Sequence, residues 1–223
     1  NPYARRAAEW TAEQLDDAER HYLAALPLVL DEGDALFVHA EPIRPAAWGY
    51  IFDLADAQTA LAAWTEIGLS VARAGYRKVV IVNSHGGNLD LVSILSRELR
   101  VQAGMLAVKC QWGGFGHPHG MFPEHELRFG IHGGDVETSL MLAFRPDCVD
   151  MAQAKDFRSS AESDPIPPVG GISRGWIASD LNPDGTVGDA SAATAEKGTK
   201  TAEHQVSGFI ELLRKVAKMD LPT

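Results

Sequence analysis

The sequence predicts an α/β fold, a mainly parallel sheet flanked by helices, and three observations carry that prediction. Lys78-Val-Val-Ile-Val-Asn83 is an apolar run rich in β-branched residues and too short for a helix, so it reads as a buried strand. The segments on either side of it repeat their apolar residues at helical spacing. A second strand-like run, residues 105–111, follows after a short connection. Helix, strand, helix, strand is the order of βαβ units.

Taken along the chain, residues 4–26 are rich in Ala, Glu, Leu and Arg and read as helical, with Pro27 interrupting. Asp31-Glu-Gly-Asp34 is a turn, and Asp34-Ala-Leu-Phe-Val-His39 reads as a short buried strand leaving it. Pro42 and Pro45 make residues 40–48 loop. Leu61, Trp64, Ile67, Gly68 and Val71 then share a helical face, and Gly75 is placed to end that helix. The turn Ser84-His-Gly-Gly-Asn88 leads into a helix over 89–102, with Val92, Leu95 and Leu99 on one side and Asn88 as N-cap. Glycine, histidine and proline make 112–132 loop, and 134–144 is a short helix stopped by Pro146. The polar stretch 153–190 reads as an extended loop and 191–217 as a closing helix. A loop of that length is usually functional or an oligomer contact.

The bulk properties narrow the function classes. A chain of 223 residues buries a sizeable core and is one domain, with at most a small appendage. Its formal net charge of -10 argues against nucleic acid as a partner, although a phosphorylated small molecule needs only a local positive pocket. No apolar run is long enough to span a bilayer, and the first residues lack a signal-peptide apolar core, so a cytoplasmic, non-membrane protein is expected. The chain opens on Asn1 rather than Met, as a processed or truncated chain does. Cys110 and Cys148 sit alone without a CxxC partner and read as reduced thiols.

Three places could carry chemistry. His85 falls just past the carboxyl end of a strand, where ligand sites of parallel sheets lie, and the two glycines after it leave the backbone open to close approach. The alternative is a tight strand-to-helix turn in which His85 caps a neighbour. In His132-Gly-Gly-Asp-Val-Glu-Thr-Ser139, Glu137 shares a helical face with Leu140, Met141 and Phe144, so it is expected on the apolar side. A buried carboxylate must be protonated, paired or metal-bound, because leaving it unpaired costs several kcal/mol, on the order of the burial penalty of a charge. Metal or catalytic use and a capping bond to backbone N–H groups are both open to it. Asp135 reads as an ordinary first-turn acid. The third place is the cluster His117, His119, Glu124, His125 and Glu126, which reads as a solvated active-site lid. Without GxSxG, a P-loop or GxGxxG, His with Glu points to metal-assisted hydrolysis.

Residues 58–220 resemble the creatininase family of metal-dependent amidohydrolases. The segments that carry the resemblance are Val80-Ile-Val-Asn-Ser-His-Gly-Gly-Asn88, His132-Gly-Gly-Asp-Val-Glu-Thr-Ser-Leu-Met-Leu-Ala-Phe144, Asp180-Leu-Asn-Pro183 and Val187-Gly-Asp-Ala190 with Ala193-Thr-Ala-Glu-Lys-Gly198. Ser84 stands where glycine is more usual and Asp135 where glutamate is. The resemblance implies a three-layer α/β/α fold, a site for one or two divalent metals (Zn, Mn or Fe) and a homohexamer. It matches His85 to a metal ligand, His132 to a site histidine that shuttles a proton or holds substrate, and Glu137 to an acid that ligates metal or acts in catalysis. The implied reaction is attack of a metal-activated water on an amide carbon of a small molecule, a non-peptide or cyclic amide in the manner of creatinine.

The family's opening Glu-x-His block and its following aspartate are absent. Residues 1–57 form an atypical segment that instead resembles part of a calcineurin-like metallophosphoesterase, through Asn1-Pro-Tyr-Ala4, Trp10-Thr-Ala-Glu-Gln-Leu15 and Leu36-Phe-Val-His-Ala-Glu-Pro42. There His39 matches a metal-binding histidine. The chain is thus read as residues 1–57 joined to a creatininase-like domain, 58–223. His39 and Glu41 end a strand and could replace the missing ligands, with Asp53 or Asp56 as a further one. Two other readings stand beside the amidohydrolase: a phosphate-ester hydrolase built on His39, and a catalytically silent domain of the same fold.

Overall fold

The computed structural model describes Asp17, His21, Ala25, Val29–Asp31, Leu36–Val38 and residues 54–222. Asp17, His21 and Ala25 are helical, in line with the helix expected over 4–26. The chain divides into two compact units, Asn1–Cys110 with Asp220–Thr223, and Gln111–Met219.

In the first unit, β1 (Val29–Asp31) and β2 (Leu36–Val38) pair antiparallel, Val29 opposite Val38 and Asp31 opposite Leu36. β2 is the strand expected within 34–39; its partner was not expected, because a three-residue strand carries too few positions to show a period. α1 (Leu54–Arg73) follows, and its chain leaves the helix through Gly75 at φ +99°, a conformation that only glycine adopts at no cost. β3 (Lys78–Asn83) and β4 (Leu106–Gln111) are hydrogen-bonded neighbours joined through α2 (Leu89–Ala103), the predicted parallel βαβ unit. Gly104 at φ +63° ends α2, its N–H returning to the Arg100 carbonyl at 3.1 Å.

The core of this unit is Leu95, Leu99 and Met105, covered by Leu61, Trp64, Leu69, Val79 and Ile81. It is the apolar face foreseen on both helices. Gly68 lets α1 close on α2: a Cβ there would stand 3.0 Å from Leu99 Cγ and nearer still to its methyl groups. Packing of this unit therefore delivers the carboxyl end of β3, and His85 after it, as a rigid edge.

The second unit is built around a helix pair. α3 (Glu124–Phe129) and a 3₁₀ turn over Trp112–Phe115 interrupt the stretch expected to be loop throughout. Pro123 before α3 and Gly130 after it are the local causes of its start and stop. α4 (Asp135–Phe144) lies against α6 (Ala195–Lys218), the longest helix, whose N-cap Thr194 accepts from the Lys197 N–H at 3.2 Å.

The region 153–190, expected as loop, holds short pieces: β5 (Asp156–Phe157), α5 (Ala178–Leu181) and β6 (Gly188–Asp189). β5 and β6 pair antiparallel, and Ala161, Leu181 and Val187 form a small core there with Ile131 and Trp176. Among the described residues no helix is long and apolar enough to cross a membrane.

Candidate active site around His132

The Asn83–Asn88 turn is braced by its own first and last side chains. Asn83, buried at the end of β3, donates its Nδ2 to the His85 carbonyl at 2.7 Å, and its Oδ1 accepts from Asn88 Nδ2 at 3.3 Å. Asn88 takes the N-cap position of α2 without a capping side-chain bond, since that side chain is engaged with Asn83. His85 is exposed and caps the turn Gly86–Asn88, its Nδ1 accepting from the Gly87 N–H at 3.2 Å. That contact requires a lone pair on Nδ1, which places the ring hydrogen of the neutral imidazole on Nε2. A cation bound through either nitrogen would therefore break the Gly87 contact.

His132 and Glu137 belong to the second unit and share one turn. The main chain of His132 is paired on both sides with Val187, donating to its carbonyl at 3.3 Å and accepting from its N–H at 2.8 Å, while its side chain stays exposed. Gly133, at φ +72°, is gripped from α4 at both ends of its peptide units. Glu137 Oε2 accepts its N–H at 2.6 Å, and Thr138 Oγ1 donates to its carbonyl at 3.2 Å. The backbone under His132 is thus fixed while its imidazole stays exposed.

The burial expected for Glu137 is corrected. Glu137 is exposed, and so are Met141 and Phe144 on its face, whereas Asp135 is 1% exposed and Ser139 fully buried. α4 turns Asp135 and Ser139 toward α6, where Gly198 removes the side chain that would hold the two helices apart. Asp135 is therefore not an ordinary first-turn acid. It pairs with Lys197 Nζ at 2.5 Å and accepts from Ser139 Oγ at 3.0 Å, which meets the cost of its burial. Of the two roles open to Glu137, the capping bond is present, and it engages one of the two carboxylate oxygens.

The expected lid cluster is also rearranged. His119, Glu124 and His125 are exposed, His125 facing Glu162 at 3.3 Å, but Glu126 is 4% exposed. Glu126 Oε1 accepts from the Asp135 N–H at 2.7 Å and Oε2 from the Asp189 N–H at 2.9 Å. The segment before it is fastened to α6: Gln205 Nε2 donates to the Gly116 carbonyl at 3.2 Å, and His204 Nε2 lies 3.1 Å from the Phe115 carbonyl. His117 packs edge-on against Phe122, with burial first and the neighbouring His204 second holding its pKa below the usual histidine value.

His39, Glu41 and Asp53 lie outside the described residues; Asp56 sits half-buried in the first turn of α1. Among the described residues, no group of three or more His, Cys, Asp or Glu side chains converges to hold a metal ion. The donor chemistry on hand, an exposed imidazole at 85 and an exposed carboxylate at 137, is nonetheless of the kind zinc and manganese accept. Glu126 and Asp135 were not foreseen in their roles; Gly130, Gly134 and Gly188 were the signal available, as marks of close approach.

Comparison with known proteins adds a family. The creatinine amidohydrolase model matches residues 54–213. The chain is 30% identical over 176 residues to the creatinine amidohydrolase of Pseudomonas putida, covering 72% of this chain and 64% of that protein. It is 27% identical to the mycofactocin precursor peptide peptidase of Mycobacterium ulcerans (strain Agy99), over 62% of this chain and 48% of that one. The chain thus spans less than two thirds of the length of either relative.

A crystal structure from Bacteroides fragilis NCTC 9343, assigned as a creatinine amidohydrolase, superposes with a TM-score of 0.61 at 27% identity, covering 83% of this chain and 70% of that one. Two creatininase structures, a point mutant described as the Zn-Zn type and a manganese form, superpose at 0.56 and 0.55, each 26% identical over 75% of this chain and 66% of theirs.

Proposed function

This chain belongs to the creatininase family, and on that premise we propose that it hydrolyses a small non-peptide or cyclic amide with the help of a divalent metal. The observation that carries the reading is the His132–Glu137 turn, in which the family's own segment pins its backbone and leaves the imidazole exposed. The zinc and manganese forms of related structures support a divalent cation. Such a cation, when bound, acts as a Lewis acid toward the amide carbonyl and lowers the pKa of water. We assign His85 and Glu137 to metal binding, with His39 and Glu41 as further donors, and to His132 and Glu137 the catalytic part.

His132 suits proton transfer because its ring is exposed while its main chain is fixed by Val187. It would carry a proton between the attacking water and the amide nitrogen that leaves. Glu137 serves first by holding the Gly133 N–H and so the direction of the turn. We further propose a cytoplasmic homo-oligomer, a hexamer by family, in which residues 58–223 form the creatininase-like part and 1–57 an appended segment.

The match to a peptide peptidase favours a second reading, a peptide-like amide as substrate. Purified protein loaded with zinc or manganese, offered creatinine-like lactams, N-formyl compounds and short peptides, separates the two. Bound metal near one or two equivalents together with ring opening of a lactam or loss of formate from an N-formyl compound supports the proposal, and cleavage of peptides alone supports the second reading. Full metal content in His85→Ala overturns the assignment of His85, and hydrolysis of phosphate esters alone overturns the amide reading.

A further inference from the structure

Glu126 carries more of the candidate site than its place beside the active turn suggests. Its two oxygens take the first amide of α4, at Asp135, and the amide of Asp189 in β6. Gly134, the N-cap of α4, has no side chain with which to cap its own helix, so a carboxylate from α3 does so. A negative charge is well placed there, because the amides at a helix N-terminus carry partial positive charge.

Space for this carboxylate is made by three glycines, Gly130 and Gly134 from the connection between α3 and α4 and Gly188 from β6. A Cβ at Gly188 would stand 2.7 Å from Glu126 Oε1, and one at Gly130 or Gly134 nearer still. Gly188 is also 2.7 Å, measured from that same Cβ position, from Gly134 Cα. The three backbones meet around one side chain, and that side chain is buried and ionisable. A packing role alone would be met by an apolar residue without the desolvation cost.

We infer that Glu126 is a positioning residue: its carboxylate fixes the His132-Gly133-Gly134 turn and the Val187–Asp189 segment, so that His132 and Glu137 keep their working places. This rests on His132 and Glu137 acting as proposed above. Glu137 can release the Gly133 N–H to meet a ligand only if something else holds the turn. The Glu126 bonds and the His132–Val187 pairing supply that hold.

The experiment is amide hydrogen exchange, read residue by residue by NMR, alongside steady-state kinetics on metal-loaded enzyme. Glu126→Gln keeps one acceptor but turns an NH₂ toward a second donor; Glu126→Ala leaves a carboxylate-sized gap that added formate can fill. Protection at the Asp135 and Asp189 amides should fall about tenfold or more in both variants, and formate should restore it in Glu126→Ala. In the same variants kcat should fall at least about tenfold while KM stays within about threefold, with formate recovering kcat.

Unchanged protection overturns the inference. So does lost protection with unchanged kcat, which would make Glu126 a structural cap only. If wild-type protein hydrolyses no amide, the proposed function fails by itself, and exchange still decides Glu126: loss repaired by formate upholds the fixed turn, and no loss sinks it. Should Glu126→Ala fail to fold, Glu126→Gln and Glu126→Asp carry the test.

Discussion

Gly198→Ala tests the packing on which the site stands. Gly198 lies where α6 meets α4, and a Cβ there would sit 2.5 Å from the Ser139 carbonyl carbon, closer to its oxygen, and 2.9 Å from Ala143 Cβ. Ordinary carbon contacts begin near 3.5 Å, so the helices would have to part by roughly 1 Å. The obstacle is backbone, which no rotamer change relieves. Overpacking of this kind costs about 1–3 kcal/mol, and the upper end applies here. Alanine returns about 1 kcal/mol in helix propensity, leaving a net loss of about 2 kcal/mol.

Gly208→Ala on the same helix is the control. Its Cβ would meet Phe115 Cδ1 at 2.8 Å, and a ring on a 3₁₀ turn can pivot, so cost and propensity gain cancel to about zero. Urea unfolding followed by circular dichroism and tryptophan fluorescence together gives the comparison. For a typical slope, Gly198→Ala should lower the midpoint by about 1 M and Gly208→Ala should leave it in place. Equal midpoints for the two variants would show that α4 and α6 do not approach at Gly198.

Lys197→Met leaves the buried Asp135 with only the Ser139 hydroxyl and should cost about 3 kcal/mol, and adding Asp135→Asn should recover much of that in the same urea assay. His117 should be neutral at pH 7 by NMR, and His204→Ala should raise its pKa only in part, since burial is the larger cause. Its lowered pKa means the unfolded chain takes up the proton first, so stability is present above the ordinary value of about 6.5 and is lost as pH falls from there through the lowered folded value. Thiol labelling should find Cys148, which is exposed, fast, and Cys110, whose pKa is raised by burial, slow. Equal rates would contradict the burial of Cys110.

The βαβ half of the chain was legible because its signals are local. Val79 to Val82 could only be a strand, and Leu95 and Leu99 lie on the face that the helical period marks. α4 was legible as a helix but not in its orientation. Its apolar residues surround it, so the Glu137 face looked apolar although Ser139 and the distant Gly198 decide which side is covered. The burial of Glu126 depends on glycines 130, 134 and 188, and no window of sequence holds all three. His132 and Glu137 were named through the family resemblance, and their chemistry is a matter for the assays above. α3 was missed although Pro123 and Gly130 bracket it, because six residues are too few to show a period.

The Glu126–Asp189 bond joins residues 63 apart in sequence. Closing a loop of that length has an entropic cost that must be met before any reward arrives, so this bond belongs to the late stage of folding. Until the chain has been made and collapsed as far as Asp189, the turn bearing His132 has only its local bonds, from Asp135 to Glu126 and from Gly133 to Glu137, and lacks its pairing with Val187. A nascent or clipped chain ending before that point would present the turn held from one side only, and the side chains proposed for catalysis would be the last to be fixed in place.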